Sequence, residues 1–281
     1  MYRVKKVLNH NALIGIHFET NKEYLLMGKG IGFGRKVTER IKTREEDIIY
    51  SLQEMTERGD ASKLAATINP VYLEIANEIL NQAEKEFDTI DRNVLFPLAD
   101  HIEFAVKRII SDKQISNPLT DDIRVLFYKE FKVACLAKEI LKKHLDIEID
   151  DDEIVYIALH IHSAIQDEKV SQAMMIARVV RECITLVEEA VGKPINVTTL
   201  SYNRLMNHVR NMVARVMNDE PLKLSMNDYM SVKFPEAFAM AEYICGEVEK
   251  MLKRPLSDAE IGYLAMHIER VTTDELEQKQ D

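Results

Sequence analysis

Glu153-Ile154-Val155-Tyr156-Ile157-Ala158-Leu159-His160-Ile161 recurs as Glu260-Ile261-Gly262-Tyr263-Leu264-Ala265-Met266-His267-Ile268, with six of nine positions identical at an offset of 107. The same offset carries Leu98, His101, Val106 and Arg108 onto Leu205, His208, Val213 and Arg215 without a gap. Two histidines, 59 positions apart, therefore recur as a pair. Each sits in apolar sequence of helical period, where a fold alone would accept Leu or Met. A single histidine there reads most simply as a hydrogen-bonded core residue; four of them, kept at two positions in both copies, point to shared chemistry. The repeat also sets the plan of the chain, because a block of about a hundred residues is large enough to fold as a domain.

The 281 residues allow two or three domains, and 46% hydrophobic residues can fill their cores. No run of eighteen or more apolar residues is present, and Met1-Tyr2-Arg3-Val4-Lys5-Lys6 alternates where a signal peptide would turn apolar. A cytoplasmic protein without membrane insertion is expected. Cys135, Cys183 and Cys245 are odd in number and widely spaced in helical patterns, which reads as free thiols. The net charge of −10 is unevenly spread: residues 1–42 hold nine Lys/Arg against three Asp/Glu, and residues 43–281 carry −16. The basic end also holds Gly15, Gly28, Gly30, Gly32 and Gly34, five of the nine glycines. A small basic head ahead of an acidic body suits a polyanion binder joined to something else.

Residues 2–36 read as strands. Tyr2–Val7 alternates, Asn9-His10-Asn11 supplies a turn, Ala12–Phe18 is rich in β-branched and aromatic residues, and Tyr24–Met27 forms a third apolar run. In Gly28-Lys29-Gly30-Ile31-Gly32-Phe33-Gly34, glycine at every second position would empty one side of an extended segment and let a ligand backbone approach. The stretch is neither a Walker loop nor a dinucleotide fingerprint. Lysine for phosphate and phenylalanine for stacking on an unpaired base are what a sheet-based RNA binder needs, although a glycine-rich hairpin with ordinary surface lysines fits equally well. A further strand is expected near Ile48–Leu52, then a linker.

Helical periodicity takes over from Ala61. Helices are expected over 62–85, 91–110 and 119–145 (with a break allowed), then in a helix capped by Asp150 or Asp151 that bears His160, and over 171–191, 199–217, 227–252 and 257–271. The fold class is thus a small antiparallel β-sheet RNA-binding domain followed by two all-α helical-bundle domains in tandem repeat. The divisions fall at 1–56, 62–168 and 171–277. Glu153, two turns before His160, falls on nearly the same helix face and is placed to fix an imidazole tautomer.

Metal binding is the first chemistry to weigh, because imidazoles facing one another in a bundle are natural ligands and His162 would add a third nitrogen. Neither HExxH nor a helical Glu-x-x-His pair occurs at the repeated positions, and Glu269 stands opposite His162 in the second copy, so no metal and no cofactor is expected. No Ser or Cys is repeated with the histidines, which argues against hydrolytic catalysis. Reversible phosphorylation fits better. Neutral imidazole is nucleophilic near pH 7, and Arg108 and Arg215, two turns beyond His101 and His208, are placed to receive the added charge.

Three sets of residues resemble the BglG/SacY family of transcriptional antiterminators, in order and spacing, over essentially the whole chain. They are Lys6-Val7-Leu8-Asn9-His10-Asn11 and Met27-Gly28-Lys29-Gly30-Ile31-Gly32-Phe33 in the head, Asp100-His101 and Ala158-Leu159-His160-Ile161 in the first copy, and His208 and His267 in the second. The resemblance implies a co-antiterminator RNA-binding domain and two phosphotransferase-system regulation domains. It implies a head that dimerises and grips a hairpin in leader mRNA, preventing the overlapping terminator from forming. RNA contacts of the family would fall on Lys6, Asn11, Gly28, Lys29, Gly30 and Phe33, and phosphorylation on His101, His160, His208 and His267. The donors implied are a sugar-specific enzyme II of the phosphotransferase system and the phosphocarrier protein HPr. His10 stands where Asn is common and Lys29 where many members have Arg, and the glycine-rich stretch is closest to the glucose-type members.

The expected function is therefore a non-enzymatic RNA-binding regulator, acting as a homodimer. The alternatives are a DNA-binding activator with the same regulatory domains, for which residues 1–56 offer no helix-turn-helix, and a metal-dependent helical enzyme with a basic appendage.

Overall fold

The computed structural model describes all residues except 54, 57, 58, 167, 193, 196–198 and 278–281. The chain divides into two compact units, Met1–Ala173 and Met174–Asp281.

The first unit opens with an antiparallel five-stranded sheet in the order β4-β1-β2-β3-β5. Its strands are β1 (Tyr2–Val7), β2 (Ala12–His17), β3 (Glu23–Met27), β4 (Arg40–Ile41) and β5 (Ile48–Ser51). Tyr2, Val4, Leu13, Leu26, Ile31 and Ile41 close one face of it, as the alternation requires. A bulge between Val4 and Lys6 shifts the β1–β2 register. Short β6 (Met55–Thr56) and β7 (Gly59–Asp60) pair with each other ahead of the helices; Glu54, Glu57 and Arg58 of the expected linker lie outside the described residues.

The glycine-rich stretch is not extended, contrary to the expectation. Residues 28–34 wind through successive turns in which Ile31 N donates to Gly28 O (3.2 Å), Phe33 N to Gly30 O (3.1 Å) and Arg35 N to Gly32 O (3.2 Å). Two different demands produce the alternation. Gly30 and Gly34 take φ of +72° and +68°, a region that costs an L side chain. At Gly28 and Gly32 space is the reason: a Cβ would lie 1.9 Å from Asp47 Oδ1 and 2.1 Å from Asn9 O.

The helices of the first unit are α1 (Ala61–Thr67), α2 (Pro70–Glu86), α3 (Leu95–Ile110), α4 (Thr120–Leu126), α5 (Tyr128–Ala134), α6 (Ala137–Leu145) and α7 (Asp151–Gln166). The single helix expected over 62–85 is two, because Asn69 caps α2 by accepting from Val71 N (3.1 Å) and Pro70 supplies its first residue. The 119–145 stretch breaks into three. Asp150 caps α7 through Glu153 N (3.0 Å), and three acidic residues follow in its first turn. α8 (Val170–Val191) leads into the second unit, which holds α9 (Leu200–Asn218), α10 (Asn227–Lys233), α11 (Pro235–Leu252) and α12 (Ala259–Glu277). Pro235 divides the helix expected over 227–252 as Pro70 divides the earlier one.

The repeat extends to the backbone. Asp112 and Asp219, and Asp146 and Lys253, all take φ of 53–55° at the ends of equivalent helices, 107 positions apart. Leu98 and Leu205 are both wholly buried, and each contributes about 1.5–3 kcal/mol to its own core.

Candidate nucleic-acid interface and histidine pairs

The β1–β2 turn and the glycine-rich loop are held together by one amide. Asn9 Oδ1 accepts from Asn11 N (2.8 Å), a local turn that aims Asn11 at the loop. Asn11 then accepts from Gly28 N through its backbone (3.0 Å) and from Gly30 N through Oδ1 (2.9 Å), while Gly32 N donates to His10 O (2.9 Å). Asn11, Gly28, Gly30 and, through its bond to Gly30, Phe33 thus form one surface. Lys29 is exposed on the same loop; Lys6 is exposed on β1 next to the turn. Phe33 is 68% exposed with the His10 ring edge-on at 5.2 Å, an aromatic platform that core packing does not explain. Sequence reasoning missed Arg44, which donates to Lys29 O (2.8 Å) and to Asp47, the buried carboxylate against which Gly28 rests.

In the first unit α3 and α7 bring His101 and His160 together with ring centroids 5.5 Å apart. Glu153, 1% exposed, receives Arg108 through Nε (3.0 Å) and Nη2 (2.6 and 2.8 Å), and its Oε2 lies 3.4 Å from His101 Nε2. Tyr156 lies 5.5 Å from the His101 ring. Two expectations change here. Glu153 faces His101 across the helix pair instead of His160 on its own helix, and Arg108 is already engaged by a carboxylate.

The second unit repeats all five residues. His208 of α9 stacks on His267 of α12 at 4.7 Å and 29°, Arg215 donates to Glu260 at 2.8 and 2.7 Å, Glu260 lies 3.9 Å from His208 Nε2, and Tyr263 lies 6.3 Å from the His208 ring. His208 Nε2 and His267 Nδ1 are buried without a hydrogen-bond partner.

Burial dominates the electrostatics of the second pair. It lowers His208 to about 3, assisted by His267 and Arg215, and lowers His267 to about 4, assisted by Arg270 and Arg204. Burial also raises Glu153, outweighing the opposing pull of Arg108. The imidazoles of the second unit are therefore neutral at physiological pH, each with a lone pair on one ring nitrogen.

His162 belongs to neither pair. It is fully buried on another face of α7, its Nδ1 2.9 Å from Glu130 and its Nε2 3.3 Å from Glu168, with the Phe127 ring at 4.5 Å. Among the described residues no three or more His, Cys, Asp or Glu side chains are grouped to hold a metal ion, and no helix is long and apolar enough to cross a membrane.

A sheet with an exposed aromatic platform, followed by two copies of one histidine constellation, is the composition of a transcriptional antiterminator. The CAT RNA binding domain matches residues 2–58 and the PRD domain matches 74–164 and 181–271, so the chain belongs to this family. The chain is 29% identical over 271 residues to Protein GlcT of Staphylococcus haemolyticus, covering 95% of each. It is 27% identical over 277 residues to the GlcA/glcB genes antiterminator of Staphylococcus carnosus, covering 96% of each. It is 28% identical over 287 residues to the Beta-glucoside operon antiterminator of Dickeya chrysanthemi, covering 98% of this chain and 99% of that protein. A crystal structure of GlcT CAT-PRDI matches with a TM-score of 0.50 and 30% identity, over 59% of this chain and 98% of that one.

Proposed function

We propose that the head, residues 1–56, binds a hairpin in nascent leader mRNA and keeps an overlapping terminator from forming. Phosphoryl transfer from the sugar phosphotransferase system onto the regulatory domains 62–168 and 171–277 sets whether it does. Lys6 and Lys29 neutralise phosphate, Asn11, Gly28 and Gly30 present the turn to the RNA backbone, and Phe33 stacks on an unpaired base. His101, His160, His208 and His267 are the acceptors. A neutral imidazole nitrogen attacks phosphorus, a bond from phosphorus to the donor breaks, and the ring proton leaves. The donors are a sugar-specific enzyme II for the first copy and HPr for the second, and the working form is a homodimer in the cytoplasm. The GlcT names of the relatives favour a glucose signal. The observation that carries the regulatory half is the repeated set of two histidines, glutamate, arginine and tyrosine, since two cores need not share five such residues in one arrangement.

An antitermination reporter in a strain lacking the enzyme II tests it. Wild type and His101→Ala should both be constitutively active there, and His101→Asp should be reduced. If His101→Ala stays fully repressible when the enzyme II is restored, the switch does not lie at His101.

A further inference from the structure

We propose that Glu74 of α2 is an intramolecular competitor of the RNA, occupying the head's two turn asparagines as a phosphate would. The inference rests on the reading of the head as an RNA binder. Glu74 Oε1 accepts from Asn9 Nδ2, and Oε2 accepts from Asn11 Nδ2 at 3.3 Å. One carboxylate therefore spans two neighbouring amides with two anionic oxygens, the arrangement a phosphodiester would use. Asn11 is the residue whose Oδ1 shapes the loop at Gly30, so its whole side-chain amide is consumed.

This contact is specific. α2 is fastened to the sheet three residues further on, where Asn77 Oδ1 accepts from Tyr50 Oη of β5 (2.6 Å) and from Arg92 (3.1 Å), with Tyr50 1% exposed. One turn beyond Glu74, Glu78 takes His144 Nε2 (2.8 Å) and Lys143 (3.0 Å), and both glutamates line the cleft that Asn11, Gly28 and Lys29 enter from the head. Lys29 and Lys143 line the same cleft and draw a phosphate in, but Glu74 stands on the two amides, and the phosphate must release it before it gains them. Phe33 and Lys29 stay exposed, so RNA can make first contact without that displacement.

A merely structural role predicts the opposite sign. If Glu74 only positioned Asn9 and Asn11, removing its charge would weaken RNA binding. α2 packs on α3, the helix of His101, so the competitor sits one helix away from an acceptor histidine.

The test is anisotropy titration of the full chain with a short imperfect RNA hairpin, comparing wild type with Glu74→Gln, Glu74→Ala and Phe33→Ala. Both Glu74 variants should bind about fivefold to tenfold tighter, a gain that shrinks as salt rises, and Phe33→Ala should bind more weakly. Binding by the Glu74 variants equal to or weaker than wild type, with Phe33→Ala still weakened, overturns the competition and leaves the RNA reading standing. If Phe33→Ala binds as wild type does, the RNA reading itself is overturned, and the competition with it.

Discussion

Acidification should loosen the second unit through its stacked histidines. In the unfolded chain His208 and His267 titrate near 6.5, whereas burial holds the folded values at about 3 and about 4. A depressed value contributes stability that is present above about pH 6.5 and lost as pH falls through the folded value. Between pH 7 and pH 5 the unfolded chain takes up a proton at each ring and the folded unit does not. Because both folded values lie below 5, the loss over that interval is set by the unfolded value, at about 2 kcal/mol for a fully buried ring. His267 is half-buried and its share is discounted for solvent screening, so the pair should lose about 3 kcal/mol. That is a large share of a typical domain's stability. Native-state hydrogen exchange of α9 and α12 amides, corrected for intrinsic rates, reads it as an opening free energy at the two pH values. In His208→Gln/His267→Gln the loss between pH 7 and pH 5 should fall by about 3 kcal/mol relative to wild type. Parallel losses in the two proteins would refute the burial of the pair.

Arg108→Met should destabilise the first unit by about 2–4 kcal/mol in a urea melt, because it strands a carboxylate that is 1% exposed, and Arg108→Met/Glu153→Met should recover most of that loss. Gly32→Ala should lower the melting temperature of the head through a cost of about 1–3 kcal/mol, since its Cβ would lie 2.1 Å from a backbone oxygen that cannot move aside as a side chain would.

Strand β1 was legible from its alternation and β2 and β3 from short apolar runs set between turn residues, and the two bundles were legible because a repeat doubles every signal. The helix breaks had signals too: Asn69-Pro70 and Phe234-Pro235 each place proline at a first helical position, but the apolar spacing runs on across both. The conformation of residues 28–34 was not legible, since glycine at alternate positions is equally compatible with an open strand and with turns. Arg108 and Glu153 recur at the shared offset as Arg215 and Glu260, yet periodicity places residues only on their own helix, so Glu153 was assigned to His160 instead of His101. Glu74 gave no repeat signal. Its counterpart at the shared offset is Arg181.

The glycine-rich loop also has a handedness. At Gly30, where φ is +72° and nothing lies within 4 Å of the Cβ position, the backbone already adopts the conformation natural to a mirror-image residue. A head assembled by chemical synthesis with D-alanine there should keep the Asn11 bond without backbone strain, because φ is already positive. L-alanine at the same position should cost stability instead. Gly30 would then separate chirality from side-chain bulk as the reason for a glycine.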